Sequence, residues 1–268
     1  MNNAIDIPWS QLSFCSVFVI LLIGISLYES LRLEKTILIG SFRAVIQLIL
    51  VGFFIKLIFD YKQWYVVMPI LLVMIFVASQ TVIKWLKNPV KEMYCCALIS
   101  VSLASAFSLL FIFLLVVRIP VWYDPQYLIP VAGMIIANGM NGAALAGERY
   151  KSELEIRVPE IEMLLSLGYE SKMASRKSRQ QALSASLIPS LNSMMVMGIV
   201  HLPGMMTGQI IAGSSPVTAV KYQIIIILSI AATVALTSWV FVSLLDKKFF
   251  TPYHQIRYEL VNPGKRKK

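Results

Sequence analysis

Five of the chain's 13 methionines fall between residues 194 and 206: Met194, Met195, Met197, Met205 and Met206. Asn192 precedes them and His201 interrupts them. Thioether sulfur is a soft metal ligand and imidazole a borderline one. Such a run could pass a transition-metal ion along without trapping it. Unbranched, polarizable methionines also suit an adaptable apolar interface that moves, and both readings stand. The following stretch, Leu202-Pro203-Gly204-Met205-Met206-Thr207-Gly208-Gln209, interrupts any helix at Pro203, Gly204 and Gly208, which makes it a candidate hinge. Irregular backbone at membrane depth is tolerated only inside protein or along a water-filled path. Asn138 and Asn141, three residues apart, share a helical face, as do Arg43 and Gln47. Intramembrane polar groups of this kind mark a pathway or a helix contact. The candidate translocation path is therefore Arg43, Gln47, Asn138, Asn141, Asn192, Met194, Met195, His201, Met205, Met206, Thr207 and Gln209. No certain metal-ligand set can be read from the spacing. The histidines are two, His201 and His254, and the cysteines three, Cys15, Cys95 and Cys96, with no metal-binding or disulfide pattern.

The sequence contains no G-x-x-x-x-G-K-[ST], H-E-x-x-H, C-x-x-C or G-x-S-x-G. A metal-dependent or triad enzyme is poorly supported, and any energised work needs a partner or an ion gradient. Secondary transporters tend to carry internal repeats and midplane acids, and neither is evident here.

The elements that must position these residues are apolar helices. Of the 268 residues 57% are hydrophobic and only 14% charged, against about 25% charged in a soluble domain. Mean hydropathy is +0.73. A bilayer-spanning helix needs roughly 20 apolar residues. Seven runs qualify: Trp9–Tyr28, Thr36–Phe59, Trp64–Ile83, Tyr94–Val117, Tyr127–Gly147, Leu187–Gly213 and Tyr222–Leu245. The sixth contains Pro189, Pro203 and Gly204 and reads as one broken helix, or as a short helix and a re-entrant turn. The expectation is an all-α polytopic membrane protein forming a single transmembrane domain over 1–268. Met1–Ser10 has no Lys or Arg, so the first run is expected to remain as a membrane helix.

The net charge of +10, from 24 Lys+Arg and 14 Asp+Glu, reads as a topology signal rather than a nucleic-acid footprint. Basic residues concentrate in alternate loops: Arg32 and Lys35; Lys84, Lys87 and Lys91; residues 148–186; and the tail 246–268. The positive-inside rule then puts the N-terminus outside and the C-terminus in the cytoplasm, as an odd number of spans requires. Within the cytoplasmic loop 148–186, Pro159 is placed to start a helix, Ile161, Leu164 and Leu165 form an apolar stripe, and Gly168 is placed to cap it. That short amphipathic helix is expected either to lie on anionic lipid or to dock a cytoplasmic partner.

Three stretches resemble the UPF0014 family of short permeases. They are Arg43-x-x-x-Gln47-Leu48-x-x-x-Gly52; Ile129-Pro130-x-x-Gly133-Met134-Ile135 with Asn138 and Met140-Asn141; and Leu202 to Gln209 with Ala212-Gly213, Pro216 and Tyr222-Gln223. The resemblance implies an ABC-type exporter of the inner membrane, with two permease chains paired to two cytoplasmic ATPase subunits. ATP and magnesium would belong to the ATPase, and this chain would bind no cofactor. The family's cargo link is to iron export and oxidative-stress resistance, and for its plant relatives to a nucleotide sugar. Glu162-x-x-x-Ser166-Leu167-Gly168 is similar to the coupling loop of ABC importers, with Met163 and Leu164 in place of its two alanines. This marks Glu160, Ile161, Glu162, Leu164, Leu165, Leu167 and Gly168 as the expected contact with the ATPase.

Overall fold

The computed structural model describes residues 8–61, 63–86, 91–117 and 121–261. Every regular element among them is helical. Two compact units are distinguished by their contacts: residues 1–62 with 211–213, and residues 63–210 with 214–268.

The first unit is a helical hairpin. A short helix α1 (Trp9–Leu12) leads through a 3-10 turn, Ser13–Cys15, into α2 (Ser16–Tyr28), and α3 (Glu34–Tyr61) returns. The reversal is tight enough to hold Ser30 and Arg32 at positive φ, 52° and 59°. Ser26 makes that possible. Its hydroxyl donates to Glu34 Oε1 (2.8 Å) and accepts from the Leu33 amide (3.2 Å), while its carbonyl accepts from the Leu31 amide (2.9 Å). Ser26 is buried, and the apolar faces around it are exposed. Arg43 and Gln47 are both exposed on α3.

The second unit contains α4 (Trp64–Trp85), α5 (Lys91–Leu110) with a π-helical continuation at Phe111–Val116, α6 (Pro125–Ser166), α7 (Ser171–Ala174), α8 (Arg176–Val196), α9 (Gly204–Ile211), α10 (Pro216–Phe249) and α11 (Tyr258–Val261). Helix α6 is central and packs on α4, α5, α8 and α10. It begins with Asp124 accepting from the Gln126 amide (3.1 Å) and Pro125 in the first turn, where a missing N–H costs nothing. Small residues let α6 and α10 approach closely. A Cβ on Gly139 would lie 2.9 Å from Thr237 Oγ1, one on Gly142 2.7 Å from Val234 Cγ1, and one on Gly147 2.5 Å from Phe241 Cε1. A buried hydrogen bond between Ser108 and Thr233 (2.6 Å) joins α5 to α10.

One expectation requires correction. The segment from 148 onward is not a loop containing a separate helix that starts at Pro159. Helix α6 runs unbroken for 42 residues, with Pro130 and Pro159 inside it. At 1.5 Å per residue it is about 63 Å long, twice a hydrocarbon core of about 30 Å, so its polar end stands beyond the apolar part. Pro159 removes one hydrogen bond from this ladder, but the flanking turns are held independently. Leu154 and Ile161 are buried together with Phe249, Phe250 and Val261. Arg149, Glu153, Arg157 and Glu160 form successive ion pairs at 2.6, 2.8 and 3.2 Å, and Lys177 of α8 closes on Glu160 at 2.6 Å.

The run Leu187–Gly213 is broken, in keeping with the reading of a helix interrupted near Pro203 and Gly204. Helix α8 ends at Val196 and α9 begins at Gly204. Six helices among the described residues are long and apolar enough to cross a membrane. Helix α8 is not one of them, because its first turns read Arg176-Lys177-Ser178-Arg179-Gln180-Gln181.

Candidate functional site

The break between α8 and α9 builds the most distinctive site within the membrane part. Met197 leaves the helix in an extended conformation (φ −66°, ψ 136°). Gly198 follows at φ +82°, a value L side chains rarely adopt. Its amide donates to the His201 carbonyl at 3.0 Å, closing a turn whose tip, Ile199 and Val200, is exposed. Pro203 is buried and Gly204 opens α9.

Between this joint, α6 and α10 lies a cavity of about 300 Å³. Asn138 reaches it from α6, His201, Pro203, Gly204 and Met205 from the joint, and Gln223 from α10. Met134, Ser190, Ser193 and Met197 also line it. Asn138 donates its side-chain amide to the Met134 carbonyl (2.8 Å). Gln223 is buried and its Oε1 has no partner among the described residues. A buried acceptor with no donor carries a desolvation cost of about 1 to 3 kcal/mol, and a cation or a water in the cavity would relieve it. Among the described residues the lining combines amide, hydroxyl, imidazole and thioether groups with Ile226, Ile227 and Ile230 and carries no Lys, Arg, Asp or Glu. Among the described residues no three His, Cys, Asp or Glu side chains converge to hold a metal.

The sequence-derived path residues divide accordingly. Asn138, His201 and Met205 meet at the cavity together with the hinge residues Pro203 and Gly204. Gly208 is exposed on α9. Asn141, Asn192 and Met195 are exposed, and Met194 and Met206 half-buried, away from the cavity lining. Thr207 spends its hydroxyl on the Pro203 carbonyl (3.1 Å), and Gln209 has a buried Oε1 without a partner. Arg43 and Gln47 belong to the hairpin unit. Gln223, quoted in the sequence only among the residues that carry the family resemblance, is not placed on the candidate path. Its signal there is a lone amide just inside the last apolar run.

A second candidate surface lies at the end of α6. Leu167 caps the helix and Gly168 follows at φ +86°. The Gly168 amide donates to the Leu165 carbonyl (3.0 Å) and the Tyr169 amide to the Leu164 carbonyl (3.1 Å), a Schellman closure. The expected glycine cap is thus present. Met163, Leu167, Tyr169 and Met173 are exposed apolar side chains on an otherwise polar extension. Leu164 and Leu165 are half-buried. Ile161, expected among the contact residues, is 1% exposed and offers a partner no surface, because it anchors α6 against Phe249 and Val261. Glu160 is held by Arg157 and Lys177, and Glu162 accepts a hydrogen bond from the Tyr258 hydroxyl.

Six helices long and apolar enough to cross a membrane, with a cavity among the helices of the second unit, define a multi-pass membrane protein. The chain belongs to the UPF0014 family, described as an uncharacterised protein family, whose model matches residues 9–250. It is 33% identical over 252 residues to a UPF0014 membrane protein of Synechocystis sp., covering 94% of this chain and 97% of that one. It is 34% identical over 249 residues to the UPF0014 membrane protein YjkA of Bacillus subtilis (92% and 97%). It is 33% identical over 258 residues to the probable iron export permease protein FetB of Escherichia coli (95% and 96%). No solved structure matches the chain.

Proposed function

We propose that this chain is the permease subunit of an ATP-driven exporter of the inner membrane and that its cargo is iron. The observation that carries the reading is the cavity at the α8–α9 break, where Asn138, His201, Met205 and the unpartnered Gln223 converge without a fixed charge. Neutral nitrogen, oxygen and sulfur donors bind a divalent transition metal weakly enough to release it. A large anion such as a nucleotide sugar would meet no cation on that wall. Kinship to a protein named as an iron export permease supports the same cargo.

In this reading the chain has its N-terminus outside and its C-terminus in the cytoplasm, and two copies pair with two ATPase subunits that hold ATP and magnesium. The ATPase docks on the exposed face of the α6 end, on Glu162, Met163, Ser166 and Leu167. Its closure moves α6 as a lever, and the Pro203–Gly204 joint changes the exposure of the cavity. The continuous helix and the ion pairs from Arg149 to Lys177 suit it to transmit force.

The test is total cellular metal content by elemental mass spectrometry after iron loading. Cells lacking the gene should hold excess iron, which wild type corrects. Leu167→Glu should not correct it, although it should reach the membrane in normal amount, because Leu167 is 68% exposed and its loss leaves no cavity. Gln223→Leu should also fail while leaving ATPase stimulation in place. An unchanged iron content in the absence of the gene would overturn the cargo, and full correction by Leu167→Glu would overturn the docking surface.

A further inference from the structure

At the end of the second unit where α6 extends beyond its apolar part, three separate segments enclose another cavity, of about 550 Å³. Residues 171–179 contribute Lys172 and Arg179, α10 contributes Trp239 and Lys247, and the chain after α10 contributes His254 and Arg257. The last segment is folded back deliberately. The Arg257 amide donates to the Phe249 carbonyl (2.8 Å) and the Thr251 amide to the Gln255 carbonyl (2.8 Å), while His254 sits at φ 58°. His254 Nδ1 accepts from the Ser171 amide (3.2 Å), which ties this segment to α7.

The charge balance of this cavity is one-sided. Lys172, Arg179, Lys247 and Arg257 face a single acid, Asp246, and none of the four forms an ion pair among the described residues. Asp246 is itself occupied, because its Oδ1 accepts from the Tyr150 hydroxyl and from Ser175 Oγ (2.7 Å). Arg179 donates from one Nη to the Lys172 carbonyl (2.7 Å), yet its Nε is buried with no acceptor among the described residues. A guanidinium fixed by one bond and unsatisfied at another atom, inside a basic cavity, calls for an oxyanion.

The position of the cavity selects the oxyanion. Trp239, Ser243 and Lys247 are spaced i, i+4, i+8 and therefore line one face of α10. Trp239 is 58% exposed within the apolar run, and Lys247 lies about 12 Å further along the axis. Tryptophan favours the membrane interface and Lys247 lies beyond the apolar run, so the lane crosses the interface from its apolar to its polar side. We propose that this cavity binds an anionic phospholipid, its phosphate among Lys172, Arg179, Lys247 and Arg257 and its glycerol and acyl region along Trp239. The shared chemistry is that of a phosphate, and the apolar lane favours a lipid over the free ion. The site is independent of the cargo cavity and stands whatever the exporter carries.

The test uses the full-length chain in mild detergent, with lipid adducts counted by native mass spectrometry and unfolding midpoints followed during titration. The probes are phosphatidylglycerol, phosphatidylcholine and inorganic phosphate. Phosphatidylglycerol should be retained and should raise the midpoint, while phosphatidylcholine should do neither and millimolar phosphate should not displace it. The double variant Lys247→Gln, Arg257→Gln should bind phosphatidylglycerol at least about tenfold more weakly. A control pair of equal charge loss elsewhere, Lys84→Gln with Lys221→Gln, should bind as wild type does. Trp239→Ala should weaken the lipid alone. Lys172→Gln, on a short exposed helix, gives the same reading if the double variant does not fold. Equal binding of both lipids, equal loss in the control pair, or displacement by phosphate would each overturn the lipid assignment.

Discussion

Asp246 and Tyr150 show how a single buried polar pair fixes the polar end of the second unit. Tyr150 is fully buried, with its ring edge-on to Phe249 at 5.9 Å, and its hydroxyl reaches Asp246. Ser175, also buried, donates to the same oxygen. Three segments, α6, the start of α8 and α10, thus share one carboxylate. Removing a single donor leaves a buried acceptor less satisfied, at a cost of about 1 to 3 kcal/mol. Tyr150→Phe is therefore expected to lower the unfolding midpoint of the purified protein and to retain its fold, since Ser175 still donates. An unchanged midpoint would show that the pair contributes nothing net. Residue-scale legibility was uneven here. Asn138, His201 and Met205 are conspicuous in the sequence as polar or soft residues in apolar runs. Asp246 reads only as one more charge beside Lys247 and Lys248, because its importance comes from partners 71 and 96 positions away.

Among the elements, α6 and α10 carry the second unit through a seam of small residues. Phe241 is fully buried against Gly147 and has no room to withdraw. Gly147→Val is expected to destabilise by roughly 1 to 3 kcal/mol through overpacking, read as a lower midpoint and reduced membrane yield. Gly133→Ala is the control, because a Cβ there meets only Met74 Cε at an ordinary 3.5 Å. Equal tolerance of both substitutions would show that the seam is looser than its geometry. The helix ends illustrate the limit of local signals. Gly168 was readable as a cap because a positive φ demands a glycine. Pro159 invites a helix start, yet α6 passes through it, because burial of Leu154 and Ile161 and the ion pairs around Glu153 outweigh one lost hydrogen bond.

For the molecule as a whole, the proposed orientation makes a direct prediction. Single cysteines placed at Glu170 and at Tyr253, both exposed, should react with a membrane-impermeant thiol reagent only after the cytoplasmic side is opened. The background for these is a chain with Cys15, Cys95 and Cys96 replaced by serine. Labelling of intact cells at either position would invert the topology and with it the assignment of the α6 end to the ATPase. The expectation comes from the alternation of basic and basic-poor loops, since charge near a span resists translocation.

Composition alone determined that this chain is a polytopic helical membrane protein, because apolar runs of bilayer length with so few charges leave no other stable arrangement. The quoted motifs likewise sufficed to place it in its family. Tertiary structure decided which polar residues meet. Of the candidates along the path, it gathered Asn138, His201 and Met205 with Gln223 and dispersed the rest. It also joined Lys172, Arg179, Lys247 and Arg257 into one basic cavity from segments that sequence reading treats as separate loop and tail. The physical reason is that a local pattern reports the face of one helix. The neighbours of that face depend on packing between helices distant in sequence, where the fit of Gly147 to Phe241 or Tyr150 to Asp246 is settled only once the chain has folded.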